Sequence, residues 1–192
     1  FKAKNKIQLI EFLKDAKKNN INLTFLGAGS NTLFRDNGVK GAVVKLVQDF
    51  SYIKIIDKNI IDVGAATLDR KLANFAKDNN LGNLEFLSCI PGTVGGAIIM
   101  NSGCYENDIS QILHSIKVVD INKMEEKEIK KEEIDFYYRG TSLPSNLIIL
   151  SVTLKRLASS KDKIEKKQKD FIERKKISQP SQIKTCGSTF KN

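Results

Sequence analysis

The sequence predicts an α+β protein, and three patterns predict it. Ile7, Ile10 and Leu13, with Leu9 and Ala16 beside them, fall at helical spacing. Leu68, Leu72, Phe75 and Ala76 repeat that spacing. Between them, Tyr52–Ile56 and Ile60–Val63 bracket Asp57-Lys58-Asn59, a strand–turn–strand signal. The 192 residues suffice for one large domain or two small ones. With 41% apolar and 28% charged residues the chain can bury a core, which excludes wholesale disorder. No stretch approaches the roughly 18 continuous apolar residues of a membrane span, and the best run, Leu147–Leu154, has strand length.

Taken in order, residues 5–18 read as a helix stopped by Asn19-Asn20. A strand over Asn22–Leu26 runs into Gly27-Ala28-Gly29-Ser30-Asn31. Gly38-Val39-Lys40-Gly41 turns the chain into a strand over Ala42–Val47, and the hairpin follows. The second helix spans Thr67–Asn79, with Gly82 soon after its end. Ile90–Ala97 opens a short helix that reaches Asn101. Strands over Ile112–Ile121 and Glu126–Ile129 flank the turn signal Asn122-Lys123, and Leu147–Lys155 forms another. A basic helix over Lys161–Lys176 ends at Ser178-Gln179-Pro180-Ser181. Apolar strand gives way to Ser and charge at 157–161, which marks a boundary.

The net charge is +10, with 32 basic against 22 acidic residues. That invites a nucleic-acid reading. However, 27 Lys against 5 Arg, with abundant Asn and Ile, resembles a codon bias toward A and T more than a phosphate-reading surface, where Arg is favoured. Residues 155–176 hold 10 basic and 4 acidic residues, so +6 of the +10 lies there and reads as a solvated helix face. No nucleic-acid partner and no membrane partner is expected. Cys89, Cys104 and Cys186 are odd in number and widely spaced, with no C-x-x-C. They argue against a disulfide framework and a metal site, and they fit a reducing cytoplasm. His114, the sole histidine, lies in the apolar stretch Ile112–Ile116 and reads as core or strand surface, which argues against a Ser-His-Asp hydrolase. Phe1–Lys6 has no apolar signal core behind it, and a chain starting at Phe1 is expected to lack upstream residues.

Two glycine loops are the candidate ligand sites. Gly27-Ala28-Gly29-Ser30-Asn31 follows a strand, as a phosphate loop does. It is not the Rossmann fingerprint, because the third glycine would fall at Thr32, and no Gly-Lys-Ser/Thr makes it a Walker loop. Its two glycines let backbone approach a ligand and offer N–H groups to phosphate oxygens; on its own it is equally a plain turn. In the second loop, Pro91-Gly92 sets a tight turn and Thr93 is a helix cap. Gly95-Gly96 removes side chains where another backbone or a flat ring comes close, and the helix start is expected to offer free N–H groups to an anion. Tight packing alone is the competing explanation. Later, Phe136-Tyr137-Tyr138-Arg139 presents one of the five arginines, suited to a carboxylate or to an interdomain ion pair. Ser188 in Cys186-Gly187-Ser188-Thr189-Phe190 reads alone as a turn or cap residue.

Together Gly27–Asn31, Ile90–Ala97, Met100-Asn101 with Gly103, Tyr138-Arg139 and Gly187-Ser188 with Phe190 resemble, in order and wording, the UDP-N-acetylenolpyruvoylglucosamine reductase family of peptidoglycan synthesis. The resemblance covers nearly the whole chain. It implies a two-lobed FAD-binding domain of the vanillyl-alcohol oxidase type over 1–157, with lobes at 1–47 and 48–157. The basic helix and the start of an α/β substrate-binding domain would fill 158–192. Gly27, Ala28, Gly29, Ser30 and Asn31 would hold the FAD pyrophosphate. Ile90, Pro91, Gly92, Thr93, Gly95, Gly96 and Ala97 would lie along the flavin, with Asn101 and Gly103 near them. Arg139 would bind the enolpyruvyl carboxylate and stabilise the enolate, and Ser188 would protonate the substrate carbon. Tyr138 and Asn192 would join them in binding substrate.

The implied reaction is the NADPH-dependent reduction of UDP-N-acetylglucosamine enolpyruvate to UDP-N-acetylmuramate by a cytoplasmic monomer with non-covalent FAD and no metal. The family has a further flavin-contacting glycine segment upstream of Phe1, and most of the substrate domain with a catalytic glutamate downstream of Asn192. Taken alone the chain is therefore also readable as an FAD-binding fragment or pseudoenzyme without turnover. Cys104 and Glu106 stand where the family usually has Ala and Gly, and Gly140-Thr141-Ser142 changes the hydroxyl spacing after Arg139. The chain resembles the shorter form of the enzyme, which lacks an extra substrate-closing loop.

Overall fold

The structure, a computed structural model, describes residues 1–179. β1 (Lys2–Ala3) leads into α1 (Lys6–Lys18). Asn5 fixes the helix start, its side chain accepting the Gln8 N–H at 2.9 Å, and Lys17 and Lys18 sit at the negative end of the dipole. β2 (Leu23–Phe25) follows, and β3 (Ala42–Leu46) inserts between β1 and β2, parallel to both. α1 buries Leu9, Leu13 and Ala16, whereas Ile7, expected on that stripe, is 69% exposed. Two residues before Leu9 is about 200° around a helix, so Ile7 faces outward.

The second lobe begins with the expected hairpin of β4 (Ile53–Ile55) and β5 (Ile60–Gly64). α2 (Asp69–Asp78) starts later than predicted. Leu68 is its extended N-cap, 51% exposed, and Ala73 joins Leu72 and Ala76 on the buried face instead. Asn80, not Gly82, supplies the left-handed residue beyond the helix, at φ 58°. β6 (Leu81–Gly82) and a 3₁₀ turn over Glu85–Cys89 lead to α3 (Val94–Ile99). The small hairpin of β7 (Gly103–Cys104) and β8 (Asn107–Asp108) precedes α4 (Ile109–Ile112). β9 (Leu113–Asp120) and β10 (Glu125–Lys130) form a third hairpin, and β11 (Phe136–Tyr137) and β12 (Gly140–Thr141) a fourth. β13 (Leu147–Lys155), β14 (Leu157–Ala158) and α5 (Lys161–Ser178) complete the described chain. His114 lies on the exposed side of β9.

The larger sheet has the order β10-β9-β13-β5-β4, antiparallel throughout. It is the wall between the lobes. On one face Ile116, Val118, Ile149, Val152 and Leu154 pack with Leu72, Ala76, Val94 and Ile98. On the other, Val119, Ile148 and Leu150 pack with Leu9, Leu13, Val44 and Phe50 of the first lobe. A strand covered on both faces needs apolar residues at successive positions, which explains the unbroken run Leu147–Leu150.

The basic helix α5 is only partly a solvated face. Ile164, Gln168 and Phe171 are buried against the second lobe, and Phe171 stacks on Tyr105 at 5.4 Å between ring centroids. Gln168 Nε2 donates to Ala73 O at 2.9 Å, Lys167 pairs with Glu85 at 3.5 Å, and Lys175 Nζ donates to Cys89 O at 2.6 Å. No helix among the described residues is long and apolar enough to cross a membrane.

Candidate functional site

The two glycine loops, far apart in sequence, meet in the fold. The 27–31 loop leaves the end of β2, with Gly29 left-handed at φ 82°. Ser30 Oγ donates to Pro91 O at 2.5 Å. A β-carbon on Gly27 would come within 2.7 Å of Thr93 Oγ1, so only glycine lets the loops approach this closely. Gly27, Ala28, Ser30 and Asn31 are exposed, and no acceptor among the described residues takes the backbone N–H groups of 27–31. Successive unengaged amides on a glycine loop form an anion cradle.

The second loop is built differently from expectation. Thr93 does cap α3, accepting the Gly96 N–H at 3.3 Å. Yet the amides at the start of α3 are not free. Val94 N–H donates to Thr67 O and Gly95 N–H to Ala65 O, both at 2.9 Å, because the β5–α2 connection lies against the helix start. In the second loop only the Gly92 and Thr93 amides are left without an acceptor among the described residues, so most of the donors for an anion come from the first loop. Gly95 is a packing glycine, since a β-carbon there would be 2.9 Å from Ala65 Cβ. Gly96 is open, with Thr93 Oγ1 at 3.4 Å as its sole close neighbour. Ile90 and Gly92 are partly buried, Pro91 is exposed, and Ala97 lies in the core.

The arginine stands on a separate hairpin tied to the same region. Tyr138 and Arg139 form the tip between β11 and β12, and Arg139 is left-handed at φ 59°. Arg139 Nη1 donates to Gly103 O at 3.2 Å, and its guanidinium carbon lies 5.2 Å from the Tyr138 ring centroid. Asn101 Nδ2 donates to Tyr137 O at 3.2 Å, so the 101–103 segment holds the hairpin at two points. Asn101 Oδ1 is buried without a partner among the described residues. Gly103 is required by its hairpin, where a β-carbon would collide with Asn107 O. Ser188 and Asn192 lie outside the described residues.

Sequence reasoning missed Asp69. It is the first residue of α2, fully buried at 0% exposure, and both carboxylate oxygens lack a hydrogen-bond partner among the described residues. Burial pushes its carboxyl up to about 7. Cys104, beside the site, has its thiol pushed up to about 11, first by burial and then by the neighbouring Cys89. No group of three or more metal-ligating side chains occurs among the described residues.

The unengaged amides of 27–31, the glycine-only seam between the loops and the unpartnered Asn101 oxygen fit a diphosphate-bearing ring cofactor. Residues 1–123 match the family described as FAD binding domain, and the chain belongs to that family. Within it, the chain is similar to enzymes named UDP-N-acetylenolpyruvoylglucosamine reductase. It is 42% identical over 193 residues to the protein of that name from Pelagibacter ubique, covering 100% of this chain and 63% of the relative. With the one from Wolbachia pipientis wMel it shares 42% over 176 residues, covering 92% of this chain and 60% of the relative. A solved UDP-N-acetylenolpyruvylglucosamine reductase from Thermus caldophilus superposes with a TM-score of 0.83 at 30% identity, over 100% of this chain and 66% of that one. The chain thus spans less than two thirds of the length of these relatives.

Proposed function

We propose that the chain is the flavin-binding part of an NADPH-dependent reductase that converts UDP-N-acetylglucosamine enolpyruvate to UDP-N-acetylmuramate for peptidoglycan synthesis. The observation that carries this reading is the seam of the two loops, with exposed, unengaged amides beside a hairpin tip that presents Arg139. Its similarity to the named reductases supports the choice of substrate. FAD, held without a covalent bond, supplies the hydride step between NADPH and the enolpyruvyl double bond.

The protein's own work is binding, orientation and proton placement. Gly27–Asn31 offer backbone N–H groups to the diphosphate, so no lysine is needed there. Ile90–Ala97, Asn101 and Gly103 line the ring side. Tyr138, Arg139, Ser188 and Asn192 bind the substrate. As one alkene carbon accepts hydride, negative charge spreads onto the neighbouring carbon and its carboxylate. A fixed guanidinium at that carboxylate stabilises the charge as it develops. The Ser188 hydroxyl then gives its proton to the second carbon, completing the addition of two hydrogens. The protein works as a cytoplasmic monomer with no nucleic-acid partner.

Anaerobic rapid mixing of the FAD-loaded protein tests this reading. NADPH should bleach the flavin, and the enolpyruvyl sugar nucleotide should then restore its colour with formation of UDP-N-acetylmuramate. A flavin that stays oxidised with NADPH, or stays bleached with that substrate, overturns it.

A further inference from the structure

Asp69 lies in the seam where the two glycine loops meet. A β-carbon on Gly92 would stand 2.8 Å from Asp69 Oδ2 and 3.8 Å from Ser30 Oγ, so the missing side chain leaves room for this carboxyl. The Asp69 N–H donates to Gly92 O at 3.2 Å, which ties the start of α2 to the loop. The carboxyl is sealed from solvent, and neither oxygen has a hydrogen-bond partner among the described residues. The segments packed around it, 65–68, 91–93 and 27–31, carry no ionisable side chain. On its own helix Arg70 and Lys71 follow, both exposed, and burial alone perturbs the group. A buried carboxylate with neither counterion nor hydrogen bond is held in its neutral form.

Resting on the FAD reading above, we propose that Asp69 is a proton-linked positioning residue of the diphosphate cradle: the cofactor is held with Asp69 neutral, and ionisation of Asp69 loosens it. A diphosphate brings negative charge onto the 27–31 amides, above a buried carboxyl that nothing screens. Repulsion then makes the bound form retain its proton to a higher pH than the free form does. Binding therefore takes up a proton once the free protein's carboxyl has begun to ionise. The diphosphate and the flavin ring keep constant charge between pH 6 and 8.5, so any pH dependence in that window belongs to the protein.

Calorimetric titration of flavin-stripped, full-length protein with FAD, in two buffers of different ionisation enthalpy, reads this proton directly. We expect uptake approaching one proton at pH 8 and almost none at pH 6, with Kd rising about fivefold between pH 7 and 8. Asp69→Asn should abolish the uptake and hold Kd near the low-pH value. FAD bound with no proton uptake by the unmodified protein, a result that needs no variant, overturns the proposal. So does uptake that persists in Asp69→Asn. A purely structural Asp69 would alter unfolding but move no proton on binding. Failure of FAD to bind at every pH would instead overturn the FAD reading, and this inference with it.

Discussion

Lys167→Gln should destabilise the protein, whereas its neighbours on the same basic helix should not. Glu85 is almost completely buried, with a side-chain exposure of 6%, and its Oε2 has no hydrogen bond among the described residues. Lys167 Nζ, 3.5 Å away, is its cation, and the same ammonium lies 5.7 Å from the Phe171 ring centroid. Removing one partner of a fully buried pair costs roughly 3–5 kcal/mol, and an exposed pair is worth about 0–1 kcal/mol. Lys167 keeps 43% of its side chain in solvent, so the loss here falls between, at about 1–2 kcal/mol. For a chain of this size that is about 3–6 °C in Tm. Lys169 pairs with Glu165 one turn away on the surface, and Lys169→Gln should cost no more than about 0.5 kcal/mol. Urea or thermal unfolding of Lys167→Gln, Glu85→Gln and the double variant closes a cycle. Because Glu85→Gln removes the charge that Lys167 neutralises, the double variant should be less destabilised than the sum, by about 1 kcal/mol. A sum that adds within about 0.3 kcal/mol, or Lys167→Gln matching Lys169→Gln, refutes the reasoning.

Asp69 also links folding to pH. Its carboxyl is raised from 3.8 to about 7, so the folded chain binds more protons than the unfolded one between those values. Its contribution is fully present below pH 4 and is lost as pH rises through 7. The whole loss is about 4 kcal/mol, of which about 2.5 kcal/mol falls between pH 5 and 8; urea melts at those two pH values should show that difference, absent from Asp69→Asn. Gly95→Ala should cost about 1–3 kcal/mol by overpacking against Ala65, while Gly96→Ala, with nothing nearer than 3.4 Å, should be neutral or stabilising; thermal melts separate them. Arg139→Ala should leave flavin content unchanged and slow the substrate half-reaction by about 10²–10³-fold, with flavin reduction by NADPH unaffected. Equal slowing of both half-reactions in rapid mixing would make Arg139 structural.

The main elements were legible because their signals are local. The apolar run of β13, the α2 stripe of Leu72 and Ala76 and the turn at Asp57-Lys58-Asn59 all follow from periodicity and turn chemistry. Which apolar side chains each helix start buries was less legible. The start of α1 at Asn5 was legible, yet Ile7 stands about 200° around the helix from Leu9; in α2 the extended Leu68 lies before the helix begins, so both side chains stay outside. The two-residue strands β1, β6 and β14 exist only through distant partners: β1 pairs with Lys45 and Leu46, and β14 pairs with β6. The docked face of α5 was hidden for another reason. One of its three buried residues is Gln168, whose amide is satisfied by Ala73 O across the interface, so no apolar stripe records the contact.

The site was legible as two glycine loops but not as one seam. Spacing of 61 residues separates Ser30 from Pro91, and nothing in either segment announces the other. Each glycine was open to two explanations, and only the fold distributes them. Gly95 is glycine because Ala65 backbone lies against it, and Gly27 because Thr93 does, whereas Gly96 has free space over it. The same close packing that explains Gly95 also consumes the amides a helix start would otherwise present, since Ala65 O takes the Gly95 N–H. Tight packing and anion binding are therefore competing uses of one set of donors in the second loop. The packing use has won in the first turn of α3, which leaves the exposed 27–31 amides, with those of Gly92 and Thr93, to carry the charge. Asp69 was illegible for a related reason. In sequence it is an acidic residue in a helix's first turn, ordinarily a solvated partner of the dipole. Its burial follows from Gly92 having no side chain, so a glycine chosen for one loop sets the ionisation of a carboxyl in a different element.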